Sequence, residues 1–307
     1  MIHLLVDILF LLALTLAGYA VLHIVDRRDR LDELERFALT FPTGLGAVGA
    51  ALYTLNILGI PFDRPLVLGC LALSTAVGAG VGWMRRARLR SLVQRLRGRG
   101  YRPGLVGGIA LGVSLLIAAG YFTQAYFSVN YQFDTEMYHF PHAAIIFRTH
   151  HQPAYATVSA GEEFSFPPAL FEVYAALWTC LGHVDQLLPN LFPIPLFLSW
   201  ALLTALALRR VLGGSDTAIA FSLLLFTSTY EVVSLLCGEG TDFVPVLLAG
   251  GAAYLAALDC LDGRASRLPV TVLMVGLNGW IKYHGVPFAL CLALAVVLAA
   301  LMERGSG

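Results

Sequence analysis

Lysine occurs once in 307 residues, at Lys282. Charge of either sign is scarce. Asp, Glu, Lys and Arg together make up 13% of the chain, against about 25% in a soluble domain. That shortage leaves no room for a large water-soluble domain. Cysteine is also sparse: Cys70, Cys180, Cys237, Cys260 and Cys291 are scattered, mostly through apolar runs, with no CxxC pair. They are read as small packing residues rather than disulfides or metal ligands. Nothing resembles a Ser/His/Asp signature, a phosphate loop or a zinc-protease motif. The first apolar run lacks a basic leader and an A-x-A-like cleavage site, so it is read as a span, not a signal peptide.

What the chain does have is apolar length. Hydrophobic residues are 58% of the total and mean hydropathy is +0.74. They fall in blocks of about 20 residues, enough to cross a hydrocarbon core. The expectation is an all-α polytopic transmembrane protein with nine spans: about 2–24, 38–58, 66–83, 105–126, 187–208, 218–236, 243–261, 268–281 and 285–302. Residues 1–104 would hold three transmembrane helices and a basic cytoplasmic loop. Residues 105–307 would form a second transmembrane block with an outer loop at 127–186. Gly44, Gly46 and Gly49 formally match a G-x-G-x-x-G dinucleotide motif. That motif needs a preceding strand, and here it lies inside an apolar helix, so it is read as close helix packing.

Arginine sets the orientation. Residues 85–102 hold Arg85, Arg86, Arg88, Arg90, Arg95, Arg97, Arg99 and Arg102 and no acid. Between two spans such a stretch is read as a cytoplasmic loop lying on anionic lipid, not as a nucleic-acid site. Residues 168–181 are apolar but rise only about 21 Å as a helix, short of a core of about 30 Å. If they do not cross, Arg209, Arg210, Arg264, Arg267 and Arg304 all fall inside. Residues 168–181 are therefore read as a juxtamembrane or half-inserted outer helix. The N-terminus is then outside and the C-terminus inside. Asp134, Glu239, Asp242 and Lys282 share the outer face.

The chemistry concentrates in residues 133–151, FDTEMYHFPHAAIIFRTHH. Polar groups crowded at the mouth of a span are costly and usually functional, which makes this loop the candidate active site of a membrane enzyme. Asp134 and Glu136 precede a helix that starts near Met137 or Pro141. Asp134 can act as a helix cap, or it can take the proton from an acceptor hydroxyl. Glu136, His139 and His142 are spaced i, i+3, i+6, a donor set for a divalent metal such as Zn²⁺ or Mn²⁺. Pro141 interrupts that run, and simple hydrogen bonding of the histidines is the alternative. Arg148 can grip a phosphate bidentately or snorkel to headgroups. His150 and His151 close the helix, where a histidine is ordinary. Lys282, at the outer end of a span, has the same two roles open to it as Arg148. Glu239 and Asp242 open a span, as a helix cap or as part of a polar outer cavity.

Asp134-x-x-x-Tyr138-His139 after a span resembles the first outer loop of the GT-C superfamily of membrane glycosyltransferases. So do the Pro167-Pro168-Ala169-Leu170-Phe171-Glu172 opening of a short apolar helix and the run from Gly276 to Lys282-Tyr283. The last is similar to an element of bacterial protein O-mannosyltransferase-like and lipid A aminoarabinose transferase-like members. The resemblance covers roughly 105–302. It implies a polyprenyl-phosphate-linked sugar donor, an outward-facing site in the cell (inner) membrane on the periplasmic or extracellular side, and inversion at the anomeric carbon. By resemblance Asp134, with Glu136, is catalytic. Tyr138, His139, Arg148, Asp242 and Lys282 bind substrate, Lys282 and Arg148 holding the lipid phosphate. Three spans precede the matched block, and many members continue beyond the point where this chain stops. That fits a fragment, a short member, or one half of a split enzyme with a membrane-protein partner. A transporter or lipid flippase, with polar groups through the middle of broken spans, and a non-catalytic assembly partner are the rival readings.

Overall fold

A computed structural model describes residues 2–98, 104–127, 140–151, 169–185, 191–229, 243–281, 287–288 and 290–294. Among them the chain is helical throughout, without a strand. The helices are α1 (Ile2–Val25), α2 (Glu33–Ile57), α3 (Arg64–Met84), α4 (Arg86–Gly98), α5 (Gly104–Phe127), α6 (Phe140–Thr149), α7 (Ala169–Leu181), α8 (Pro193–Arg210), α9 (Asp216–Thr227), α10 (Phe243–Asp262) and α11 (Leu268–Ile281). By length and composition α1, α2, α3, α5 and α10 can each cross a membrane. The expected spans at 187–208, 218–236 and 268–281 correspond to α8, α9 and α11. α9 and α11, of 12 and 14 residues, are shorter than a crossing needs. The expected ninth span is described only at 287–288 and 290–294.

Large side chains face outward in helical stripes. On α1 these are Leu5, Ile8, Leu9 and Leu12, each about half exposed, at the i, i+3, i+4, i+7 spacing of one helix face. On α5 they are Leu105, Val106, Ile109 and Leu116. In water such surfaces would drive aggregation. Against acyl chains they need no cover, which is compatible with a multi-pass membrane protein.

Glycine sets the closest contact in the bundle. α1 and α2 are antiparallel and touch backbone to backbone. A Cβ on Gly44 would fall onto the Leu14 carbonyl, and one on Gly18 onto that of Thr40. Gly46 turns the other way, where an added Cβ would lie 3.2 Å from Ile281 and 3.3 Å from Leu277 of α11. The glycine run in α2 is therefore a packing surface, used on two sides. α3 runs parallel to α1, with Gly78 set against Leu16.

The helix ends sort the charges. The turn between α1 and α2 and the first residues of α2 carry Asp26, Asp29, Asp32, Glu33 and Glu35, and all five are tied to arginines. Arg36 Nη2 donates to Asp26 at 2.7 Å and to Asp29 at 2.9 Å. Arg85 pairs with Asp29 at 2.7 Å and with Glu33, and Arg88 reaches Asp29. Arg210, closing α8, pairs with Glu35 at 2.6 Å and with Asp32. Tyr254 of α10 donates to Glu35 at 2.9 Å, and Tyr19 of α1 to Glu33 at 3.2 Å. Asp32 and Glu35 also form a reciprocal capping box at the start of α2, satisfying two backbone donors that a helix start leaves open. α2 therefore begins at Glu33, five residues before the apolar run does. Nearby, Arg267 joins α11 to α10 through Asp259 and Asp262. Arginines from the α1–α2 turn, from α3–α4, from the end of α8 and from the α10–α11 turn thus gather at one end of the bundle.

The opposite end is made by the α2–α3 turn, the end of α11 and the short helices. Trp280 of α11 lies edge-on to Tyr53 of α2, with ring centroids 5.6 Å apart. His150 closes α6 in a left-handed conformation (φ 61°). Its carbonyl accepts the Phe62 N–H at 2.7 Å, and its Nδ1 lies 2.9 Å from the Phe62 carbonyl. α7 does not lie along a surface: every residue from Leu170 to Thr179 is buried, packed mainly by α2 and α6. Its far end is held level with the start of α3, where Arg64 Nη2 donates to the Cys180 carbonyl at 3.3 Å.

Two variants test this account. Arg36→Ala leaves Asp26 and Asp29 short of a buried counter-charge, and it is expected to cost about 3–5 kcal/mol, read as thermal unfolding of the detergent-solubilised protein. Gly44→Leu is expected to abolish the folded, monodisperse species in size-exclusion chromatography. Gly80→Ala, where an added Cβ meets nothing within 4 Å, should leave it unchanged. Normal folding of Gly44→Leu would contradict the close contact.

Candidate functional site

The strongest buried chemistry lies where α6 meets α7. α6 begins at Phe140 with Pro141 in its first turn, where a missing N–H costs nothing. This is the later of the two expected starts. Phe140 meets Tyr174 and Trp178 edge-on, at 6.1 and 5.6 Å. Tyr174 stacks on Phe192 at 5.4 Å, and Phe192 reaches Phe41 of α2. The Trp178 indole donates to the Asp185 carbonyl at 2.8 Å. This aromatic layer holds α7 rigidly against α2, α6 and the start of α8.

Inside that layer sits Glu172, with no exposed surface. Neither carboxyl oxygen has a hydrogen-bond partner among the described residues. Burial alone pushes its pKa up to about 8, because an apolar surrounding penalises the charged form. At neutral pH it is a carboxylic acid, able both to donate and to accept. Leaving such a group unsatisfied costs about 1–3 kcal/mol. The neighbouring Phe171 ring stacks on His142 of α6, with centroids 5.0 Å apart and planes at 19°. His142 thus packs on α7 through Phe171, while Glu172, one residue on, projects about 100° further around the helix. A second buried acid, Asp7 of α1, lies close enough to Asp185 for their charges to repel.

Of the residues expected from sequence, Asp134, Glu136, Tyr138, His139, Asp242 and Lys282 lie outside the described residues. His142 is buried against Phe171. Arg148 is exposed in the last turn of α6. Metal binding by Glu136, His139 and His142 is neither assembled nor broken up, because only His142 of the three is described. Among the described residues no group of three or more His, Cys, Asp or Glu could hold a metal ion. His150 has a structural role, clipping α6 to the α2–α3 turn. The helices flanking the remaining candidates do share an end. α10 starts with Phe243, 6.3 Å from Trp200 in the first half of α8, and α11 closes beside Tyr53. Both points lie away from the arginine cluster.

In the sequence Glu172 stands out only as part of a motif, not as a site residue. Its signal was one acid in an otherwise apolar thirteen-residue helix. No family model matches the chain, and no curated protein or solved structure matches it either.

Glu172 makes stability depend on pH. Its folded pKa of about 8 stands above the ordinary glutamate value of 4.5, so its favourable contribution is complete below about pH 4.5 and is lost as pH rises through about 8. Glu172→Gln keeps the shape and never ionises. Its melting temperature relative to the parent should rise steadily between about pH 5 and about pH 9. Parallel curves for the two proteins would mean that Glu172 is solvated or paired.

Proposed function

We propose that this chain is a membrane glycosyltransferase of the GT-C type, moving a sugar from a polyprenyl-phosphate-linked donor to an acceptor hydroxyl at the outer face of a cell (inner) membrane. One observation carries the reading. The α6–α7 pair, the start of α10 and the end of α11 occupy the bundle end opposite the arginine cluster. In the sequence Asp242 directly precedes α10 and Lys282 directly follows α11, which supports a shared site with the loop before α6. A nine-span topology with that end outward follows from the positive-inside rule.

In this reading Asp134, assisted by Glu136, takes the proton from the acceptor hydroxyl as it attacks the anomeric carbon, with inversion. The sugar–phosphate bond breaks, and Lys282 and Arg148 stabilise the charge on the departing lipid phosphate. Tyr138, His139 and Asp242 position the substrates. A divalent metal held by Glu136, His139 and His142 would fit the donor chemistry of those side chains. His142, packed face-on against Phe171, would need a free ring nitrogen for it. A membrane-protein partner belongs to the proposal if the chain is a short or split member.

One observation favours the rival class. A fully buried carboxyl without a partner in a membrane bundle is the kind of group through which transporters bind protons. The two readings separate in one preparation. With the full chain in lipid nanodiscs and a radiolabelled polyprenyl-phosphate sugar, Asp134→Asn should reduce transfer by about 100-fold or more, with the fold intact by thermal melting. Full transfer by a folded Asp134→Asn would remove that residue from the mechanism. Absence of any transfer by the parent, together with solute uptake driven by a pH gradient in proteoliposomes and lost in Glu172→Gln, would establish the transporter instead.

A further inference from the structure

α4 follows α3 with one residue, Arg85, between them, and its two faces differ in kind. Arg85, Leu89 and Leu92 fall at i, i+4, i+7 and turn toward the protein. Arg85 and Leu92 are 7% and 8% exposed, and Leu89 is half-buried. The opposite stripe is Trp83, Arg86, Arg90 and Val93, at spacings of three, four and three, and all four are exposed. Trp83 is 70% exposed at the end of a span, and the Arg86 guanidinium sits over its ring, 4.3 Å from the centroid. An amphipathic aromatic ring at the end of a span sits at headgroup level, which fixes the depth at which α4 begins.

The supply of acid at this end decides what the stripe can meet. Asp26, Asp29, Asp32, Glu33 and Glu35 are all occupied by Arg36, Arg85, Arg88 and Arg210. Among the described residues, Arg86 and Arg90 meet no carboxylate. Residues 85–102 contain no acid of their own. No described acid supplies a counter-charge for the outer stripe, which lies at headgroup depth beside apolar Trp83 and Val93.

We infer that α4 is an anionic-phospholipid-binding helix. Arg86 and Arg90 take phosphate or phosphoglycerol headgroups, and Trp83 and Val93 insert at the acyl boundary. Arg88 on this helix and Arg85 directly before it grip Asp29 and Glu33, so lipid bound on the outer stripe braces the ion-pair cluster through the helix itself. The proposal does not depend on the glycosyltransferase reading.

The test uses the full chain in a neutral detergent, titrated with phosphatidylglycerol or, in parallel, with phosphatidylcholine, while its thermal melting is followed. A ligand that binds only the folded state raises the melting temperature. Phosphatidylglycerol is expected to raise it by about 3 °C or more, and phosphatidylcholine by less than half of that. About 0.5 M NaCl should remove the difference, since headgroup contacts at the surface are screened. Arg86→Gln with Arg90→Gln should also remove it, and neither residue belongs to the ion-pair cluster. Equal shifts from the two lipids, or a phosphatidylglycerol shift that survives high salt, would overturn the inference. So would an equal shift from inorganic phosphate, or a larger one from a duplex oligonucleotide. If the double variant fails to fold, the salt titration of the parent protein decides alone.

Discussion

Five carboxylates packed into one seven-residue turn and the first residues of α2 would repel each other strongly if left to themselves. The bundle is arranged so that they never are. Arg36 comes from the same segment, Arg85 and Arg88 from the end of α3 and the start of α4, and Arg210 from the end of α8. Tyr19 and Tyr254 supply hydroxyls from α1 and α10. The partners come from several helices, so satisfying the charges fixes the relative height of α1, α2, α3, α8 and α10. Replacing the network with apolar groups could be as stable. What apolar groups could not do is choose one register among helices whose lipid-facing sides are much alike.

Where charge sets register at one end, aromatic packing does it at the other. α7 is too short to span and is surrounded on every side, an unusual place for a helix with an acid in it. The two glycines where α1 and α2 touch draw the N-terminal helices together, and the Phe62–His150 pairing ties the short helices to the α2–α3 turn. The result is a rigid floor of ion pairs and, at the other end, a compact set of short helices holding His142 and Glu172. If the outer end performs chemistry, α7 is the rigid element on which it is built.

Much of this could be read in advance, and the parts that could not have definite reasons. α1, α3, α5 and α10 match the apolar blocks to within two residues at each end, because a membrane-length run admits little else. α2 starts earlier than its apolar run, because Glu33 and Glu35 are hidden by Arg85, Arg210 and Tyr254, and no local pattern announces partners so distant. Even so, Asp32 and Glu35, three apart at a helix start, form a legible capping box. Gly44 and Gly46 were legible as packing residues, since a nucleotide loop has no place inside an apolar helix. The eight arginines of 85–102 read as one uniform patch. Only the helical phase of α4 separates Arg85, which faces in, from Arg86 and Arg90, which face out. Glu172 could be seen as an oddity but not as a buried group, because the helices covering it come from both halves of the chain. The candidates Asp134, Glu136, Tyr138, His139, Asp242 and Lys282 fall outside the described residues, so the sequence remains the source for them.

Glu35 is fully enclosed by partners that the ribosome makes much later. Arg210 follows it by 175 residues and Tyr254 by 219. At about 5–20 residues per second, roughly 10 to 45 seconds pass between the synthesis of the acid and that of its last partner. During that interval α2 is long enough to enter the bilayer while the Glu35 carboxylate in its first turn has its capping box but neither of these two later partners. The head of α2 must wait at the water surface, or borrow a counter-ion, until the second half of the protein arrives. Final docking of the N-terminal helices is therefore timed by the synthesis of α8 and α10. A chain halted before Arg210 would leave Glu35 without either partner.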